Sequence, residues 1–354
     1  MLKSWWLYLG VSAGCLGATS AALGKCAGLY FEDRWGLRIF LYILMVLTNG
    51  GMLFLFSASM RHTSSLRATG VGSVDGASGA CTHKGGLRQK YVFEVAYDGT
   101  DFCGFQLQPS VPTVQAALER SLCRFLHGMH RDHLVVQGAA RTDSGVHARQ
   151  QYVEFYSNRV LNEETFVRAM NSMLPSSIVT SALSPVEDDF NVRFTNGKIY
   201  TYDIHLDKYR DPFTCRYRHV PKNPAELDID AMREGCQSFV GLRDFRLLTN
   251  KTDLALESSE RMIYECKLGD IPGGIRVAVM GKGFLYKQVR NMVGVLIAVG
   301  YHKLDREDID ILLQGDETKL YNQKSQYQVA EGKGLCLQRV FLLDEQLPDS
   351  IFPV

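Results

Sequence analysis

Two stretches near the start of the chain carry no charge: residues 4–24, SWWLYLGVSAGCLGATSAALG, and residues 39–60, IFLYILMVLTNGGMLFLFSASM. No other feature restricts the fold more, because about 20 apolar residues suffice to cross a bilayer core of about 30 Å as a helix. Two transmembrane helices are therefore expected within residues 1–67. Trp5, Trp6 and Tyr8 would anchor one interface, and the small residues of GCLGATSAALG would allow close helix packing in lipid. A cleaved leader would account for the first run but not for the second. Lys3 precedes the pair and Arg61 and Arg67 follow it, which puts both ends on the cytosol-like side, although Arg34 and Arg38 in the connecting loop pull the other way.

Residues 68–88, ATGVGSVDGASGACTHKGGLR, are rich in Gly, Ser and Ala and have no apolar period, which is the composition of a flexible linker. Beyond it the chain changes character. Residues 1–88 hold eight Lys/Arg against three Asp/Glu, and residues 89–354 hold 31 against 35. A nucleic-acid footprint in the larger part must therefore be local. The nine cysteines form no CxxC pair and the histidines show no ligand spacing around them, so neither a zinc site nor a disulfide framework is expected.

The larger part alternates strand and helix patterns. QKYVFEVAY (89–97) alternates and reads as a strand. After a Gly-rich turn, Val114, Ala117, Leu118, Leu122 and Phe125 line one face of a helix. HLVVQGA and QQYVEFY read as strands on either side of residues 140–147, and NEETFVRAMNSML as a helix capped by Asn162 and stopped before Pro175. SIVTSAL and KIYTYDIHL are further strands. Helices are expected near 228–240, 284–300 and 306–314, and strands near 262–269, 274–280 and 337–343. Such a mixture implies an α+β protein with helices covering mainly antiparallel sheets.

Within it, GAARTDSGVHARQQ (138–151) sets Asp143 among small residues, with Arg141 and His147 close by. Taken alone, RTD followed by SG reads as a turn, with Asp bonding to its own backbone and Gly145 supplying positive φ. The longer string GAARTDSGVHARQQYVEF resembles the signature of the TruA family of tRNA pseudouridine synthases, in which a GRTDxGVHA-like loop carries the nucleophilic aspartate. Four further stretches resemble that family in order and spacing: YDGTDFCGFQLQ with VQAALERSL, FNVRFTNGKIYTYDI, GKGFLYKQVRNMVGVL and VAEGKGLCL. Together they span about 260 residues, from Tyr91 to near Asp344. Ala140, Val192, Lys198 and Glu331 depart from the family's usual Gly, Ala, Arg and Pro. Less specifically, residues 1–69 resemble the opening helices of small membrane proteins related to drug/metabolite transporters.

The resemblance implies two related α+β halves, roughly 89–208 and 209–354, around a central RNA-binding cleft. It also implies a homodimer, tRNA as substrate, and modification in or near the anticodon stem-loop, with no cofactor and no metal. It gives Asp143 the role of nucleophile, leaving open whether it attacks the ribose or abstracts a proton. It makes Arg290 the partner that keeps Asp143 ionised, and Tyr200 the ring that stacks on the flipped uracil and handles a proton. Arg141 would contact phosphate or fill space beside the extruded base, and Arg149, Arg216, Arg218, Lys282 and Lys287 would grip phosphates. His147 reads as structural and Tyr202 as a core aromatic.

Two other readings remain open. One is a tRNA-holding protein without turnover. The other is a membrane protein, associated through residues 4–60, that carries 89–354 as a passenger. The abrupt join is equally what two neighbouring genes read as one would produce. Genuine spans imply membrane association. Without them the cytoplasm, nucleus or mitochondrion is expected.

Overall fold

The computed structural model describes residues 88–127, 131, 134–249, 258–314 and 326–351. The two expected spans and residues 68–87 of the linker lie outside the described residues, among which no helix is long and apolar enough to cross a membrane.

In chain order the elements are β1 (Gln89–Tyr97), α1 (Val114–Phe125), β2 (Gln137–Gly138), β3 (His147–Ser157), α2 (Glu163–Met173), β4 (Ile178–Val186) and β5 (Thr195–His205). There follow α3 (Ile229–Ser238), β6 (Gly241–Asp244), β7 (Glu260–Ile271), β8 (Gly274–Gly281), α4 (Gln288–Gly300), α5 (Arg306–Leu312) and β9 (Leu335–Leu342). The strands form a single sheet ordered β4-β1-β3-β9-β5-β8-β7-β6, with β2 paired to β3. Among the described residues every ladder is antiparallel except a short parallel one, His147–Ala148 of β3 beside Cys336–Leu337 of β9. Early and late strands therefore merge in one continuous sheet. β5 precedes residue 208, yet its ladder partners, β8 and β9, both come from after it.

Period-2 patterning gives the sheet two unlike faces. Tyr91, Phe93, Val95, Val153 and Phe155 point to one side, where Phe166 of α2 packs with ring centroids 5.5 Å from Phe93 and 5.8 Å from Phe155. Each such aromatic contact adds about 1 kcal/mol to the burial of its area. The ladders carry the same face across the sheet through Ala148, Leu337, Tyr200 and Val279. Helices cover this face in both parts. Asn162 caps α2 by accepting from the Thr165 N–H at 3.0 Å, and Asp228 caps α3 by accepting from Ala231 at 2.9 Å; such caps contribute about 1 kcal/mol each.

Three local expectations change. The strand expected over HLVVQGA shrinks to Gln137–Gly138, because Leu134–Val136 run free of the ladder and leave Val135 exposed. The helix expected from residue 284 starts at Gln288. Lys287 adopts φ of +58°, which a right-handed helix cannot contain, so Tyr286 stands outside the helix. The edge strand β6, GLRD, has no alternation to reveal it.

Candidate active site

Asp143 lies in the loop from β2 to β3, on the helix-covered side, and the loop is fastened along most of its length. Gln151 of β3 is fully buried and clamps Ala140: its Oε1 accepts from the Ala140 N–H at 3.1 Å, and its Nε2 donates to the Ala140 carbonyl at 2.7 Å. Nζ of Lys198 donates to the Ala139 carbonyl at 2.9 Å. The hydroxyls of Tyr97 and Thr142 share a hydrogen bond of 2.7 Å. The turn after β1 runs alongside, with Phe105 N–H donating to the Thr142 carbonyl at 3.0 Å and Gly145 N–H to the Phe102 carbonyl at 3.2 Å. Two glycines make this approach possible. Gly104 has φ of +102° and a Cβ there would lie 2.8 Å from the Thr142 carbonyl oxygen, while Gly145 turns the chain at φ of +73°.

Among the described residues the Asp143 carboxylate meets one cation. Nη1 of Arg290, in the first turn of α4, is 3.1 Å from Oδ2, and each side chain is only 14% exposed. The guanidinium is itself steered by Ala330, 40 residues further along the chain: Nε donates to the Ala330 carbonyl at 2.7 Å, and the Ala330 N–H donates to the Arg290 carbonyl at 3.1 Å. The contact sets a positive charge directly against the Asp143 carboxylate.

Tyr200 of β5 closes the site, 8% exposed and edge-on to Phe284 with centroids 5.2 Å apart. Burial first, then the neighbouring Tyr97 and Asp143, push its phenol pKa far above the usual range. Its ring therefore acts as a neutral wall that can hydrogen-bond. Tyr202 is fully buried and donates to the Glu331 carbonyl at 2.9 Å, a structural placement. No group of three or more His, Cys, Asp or Glu among the described residues is placed to hold a metal ion.

A loop aspartate, an arginine brought from a distant helix and a buried aromatic wall agree with what comparison finds. The family model described as tRNA pseudouridine synthase matches residues 94–195 and 236–341. The chain belongs to the tRNA pseudouridine synthase family. Asp143 and Arg290 fall inside the matched segments and Tyr200 between them. A tRNA pseudouridine synthase A of Staphylococcus carnosus (strain TM300) is 34% identical over 266 residues, 75% of this chain and 95% of that protein. One of Staphylococcus aureus (strain JH1) is 34% identical over 260 residues, 73% of this chain and 92% of that protein. A chain in a crystal structure of a Cbf5-Nop10-Gar1 complex aligns with 71% of this chain and 50% of its own length, at 13% identity and a TM-score of 0.30, a superposition too loose to carry an argument.

The family's activity is the isomerisation of uridine to pseudouridine in tRNA, and the cations expected to hold that substrate are not gathered in one place. Arg141 is exposed on the catalytic loop. Lys282 and Lys287 flank Phe284 on the segment against Tyr200, with the Lys287 ammonium 5.0 Å from the Tyr286 ring centroid. Arg149 lies beyond a register shift between Tyr97 and Val95, on the opposite face of the sheet. Arg216 pairs with Asp101 at 3.3 Å, and Arg218 donates to the Pro272 carbonyl at 2.6 Å. Both thus lie along the turns at the strand ends.

His147 ties two segments together: its Nδ1 accepts from the Gly99 N–H at 3.1 Å and lies 3.1 Å from Asp98 Oδ1, and its Nε2 lies 3.1 Å from the Lys333 carbonyl oxygen. Sequence reasoning missed Gln151, Phe284 and Ala330. All three stand inside the quoted motifs, yet nothing in their spacing announces whom they touch.

Proposed function

We propose that Asp143 drives the isomerisation of uridine to pseudouridine in tRNA, with Arg290 positioning its carboxylate and Tyr200 forming the wall on which the uracil stacks. The observation that carries this reading is the Asp143–Arg290 contact at 3.1 Å, nearly closed to solvent and set beside Tyr200. A uridine inside a helical stem cannot reach such a site, so it must be flipped out at a cost of a few kcal/mol. The carboxylate then promotes cleavage of the bond between N1 and C1′, either by attacking the ribose or by taking a ribose proton. The freed uracil turns, C5 bonds to C1′, C5 loses its proton and N1 gains one, so atoms and charge balance without a cofactor. The raised Tyr200 pKa favours stacking over proton transfer for that residue. Arg141, Lys282 and Lys287 line the approach and would hold phosphates in a salt-dependent way.

The anticodon stem-loop is the proposed target and a homodimer the proposed assembly, both on the family resemblance. Residues 4–24 and 39–60 would tether the enzyme to a membrane as two spans, on their length and lack of charge. Mapping pseudouridine at nucleotide resolution on unmodified tRNA transcripts tests the function. New pseudouridine confined to the anticodon arm supports it. Binding of tRNA without modification would put the non-catalytic reading in its place.

A further inference from the structure

The chemistry described so far occupies the helix-covered face of the sheet. The other face carries a cavity of ≈ 390 Å³ that this chemistry does not use. It sits at the strand ends from which the catalytic loop springs. Its floor is Thr201 and Asp203 of β5, Arg276 of β8 and Gln338 of β9, and Arg149 and Tyr217 stand at its side.

Its groups are specifically arranged. Asp203 and Arg276 neutralise each other through a two-point contact, Nε to Oδ1 at 2.7 Å and Nη2 to Oδ2 at 2.8 Å. Gln338 Nε2 donates to the Thr201 hydroxyl at 2.6 Å, which leaves the Gln338 amide oxygen as a free acceptor and the Thr201 O–H as a free donor. Arg149 forms no ion pair among the described residues and is exposed, so one positive charge is left over. Tyr217 is 43% exposed and is fixed by its hydroxyl donating to Asp98 at 3.0 Å and by its ring standing 5.2 Å from that of His147. One acceptor, one donor, one aromatic wall and one spare cation are what a base edge, a base face and a phosphate require. The volume falls in the range of about 300–1,000 Å³ usual for small-ligand pockets.

A second observation points the same way. The segment that supplies Tyr217 also exposes Tyr209 at 75% and Phe213 at 87%, interleaved with Lys208, Arg210, Arg216 and Arg218. His205, on the cavity's face of β5, fastens it by a 2.7 Å bond between Nε2 and the Tyr209 carbonyl. Exposed rings alternating with cations are the surface on which unpaired bases stack while phosphates are held.

We propose that this cavity is a second ribonucleotide-binding site, on the sheet face opposite Asp143, with the base between Tyr217 and the Thr201–Gln338 floor and the phosphate on Arg149. It deepens the tRNA reading and rests on it for one source of the nucleotide, an unpaired residue of the bound tRNA; a free nucleotide is the other. Tyr97 and His147 line the cavity and also fasten the catalytic loop, through Thr142 and Gly99 respectively, so an occupant would touch residues that hold Asp143 in place.

The test titrates the full chain calorimetrically with each of the four ribonucleoside 5′-monophosphates and with inorganic phosphate. At least one nucleotide should bind more tightly than phosphate. Arg149→Ala and Gln338→Ala should each weaken it at least about tenfold, Arg149→Lys should weaken it less, and Asp143→Asn should leave it within twofold. Ultraviolet cross-linking of tRNA to the peptide containing Tyr217, together with competition between tRNA and the nucleotide, would assign the site to the tRNA. Simultaneous binding without competition would assign it to a free nucleotide. No nucleotide binding, binding no tighter than phosphate, or binding that Arg149→Ala and Gln338→Ala leave unchanged while circular dichroism shows folded protein would overturn the proposal. Pseudouridine formation is measured on the same preparations, so a protein that modifies tRNA but fails this titration loses only the second site.

Discussion

Removing Arg290 probes the catalytic arrangement at its one charge–charge contact among the described residues. At 3.1 Å the attraction between Arg290 and Asp143 is about 5 kcal/mol for an effective dielectric of about 20, before the cost of desolvating both groups takes most of it back. Losing one partner is a different matter, because the survivor stays in a pocket that leaves it 14% exposed. Breaking a buried pair in this way costs about 3–5 kcal/mol, and the residual solvent contact lowers the expectation to about 2–4. Arg290→Met should destabilise the chain by that amount. Asp143→Asn should cost about 1–2 kcal/mol, since the amide oxygen still accepts from Arg290. The double variant should be milder than the sum by at least about 1 kcal/mol, because Met no longer faces a stranded carboxylate. Urea unfolding of the four proteins closes the cycle. Additivity within about 0.5 kcal/mol would show that the two side chains do not feel each other, and the reasoning would fail.

Other consequences follow from the clamps around the loop. Gln151→Ala strands the Ala140 N–H and carbonyl, so a loss of about 1–3 kcal/mol in urea unfolding is expected, with a lower kcat in tRNA turnover. Gly104→Ala forces a side chain into positive φ against the Thr142 carbonyl; kcat should fall at least about tenfold while tRNA affinity by filter binding holds, given the cost of about 1–3 kcal/mol for such strain. Tyr200→Phe should keep activity within about tenfold and Tyr200→Ala lose about a hundredfold or more, as stacking worth about 1–3 kcal/mol disappears; equal losses would mean the hydroxyl matters. Lys198 is pushed down to about 8, from 10.5, by burial of its ammonium near the Ala139 carbonyl. Below pH 8 the folded state bears the full burden of the buried charge, and as pH rises from 8 towards 10.5 the unfolded state holds more protons and stability increases. Relative to Lys198→Met, the parent should gain about 1–2 kcal/mol between pH 7 and 9.5, discounted for the side chain's residual solvent contact; parallel curves in urea unfolding would refute this.

Much of the site was legible because its residues sit in contiguous strings. Asp143, Tyr200 and Arg290 each stand in a short string that resembles the family, and the resemblance, not the strings alone, is what proposed their roles. Helix caps such as Asn162 were readable because capping is local. What stayed hidden depends on the third dimension. The parallel contact of β3 with β9 joins residues nearly 190 apart, and no pattern encodes it. The register shift that turns Arg149 to the far face is invisible in ARQQ, so its place six residues after Asp143 does not reveal which face it joins. Ala140 departs from the family's glycine, yet Gln151 grips it through backbone atoms that any residue would present.

The central claim is that Asp143 carries the chemistry while other residues hold the RNA. Single-turnover pseudouridine formation on one unmodified tRNA, comparing the parent with Asp143→Asn alongside their tRNA dissociation constants, tests it most directly. The Asp143→Asn rate should fall below detection with affinity within about threefold of the parent's. Turnover by Asp143→Asn at a rate near the parent's would contradict it.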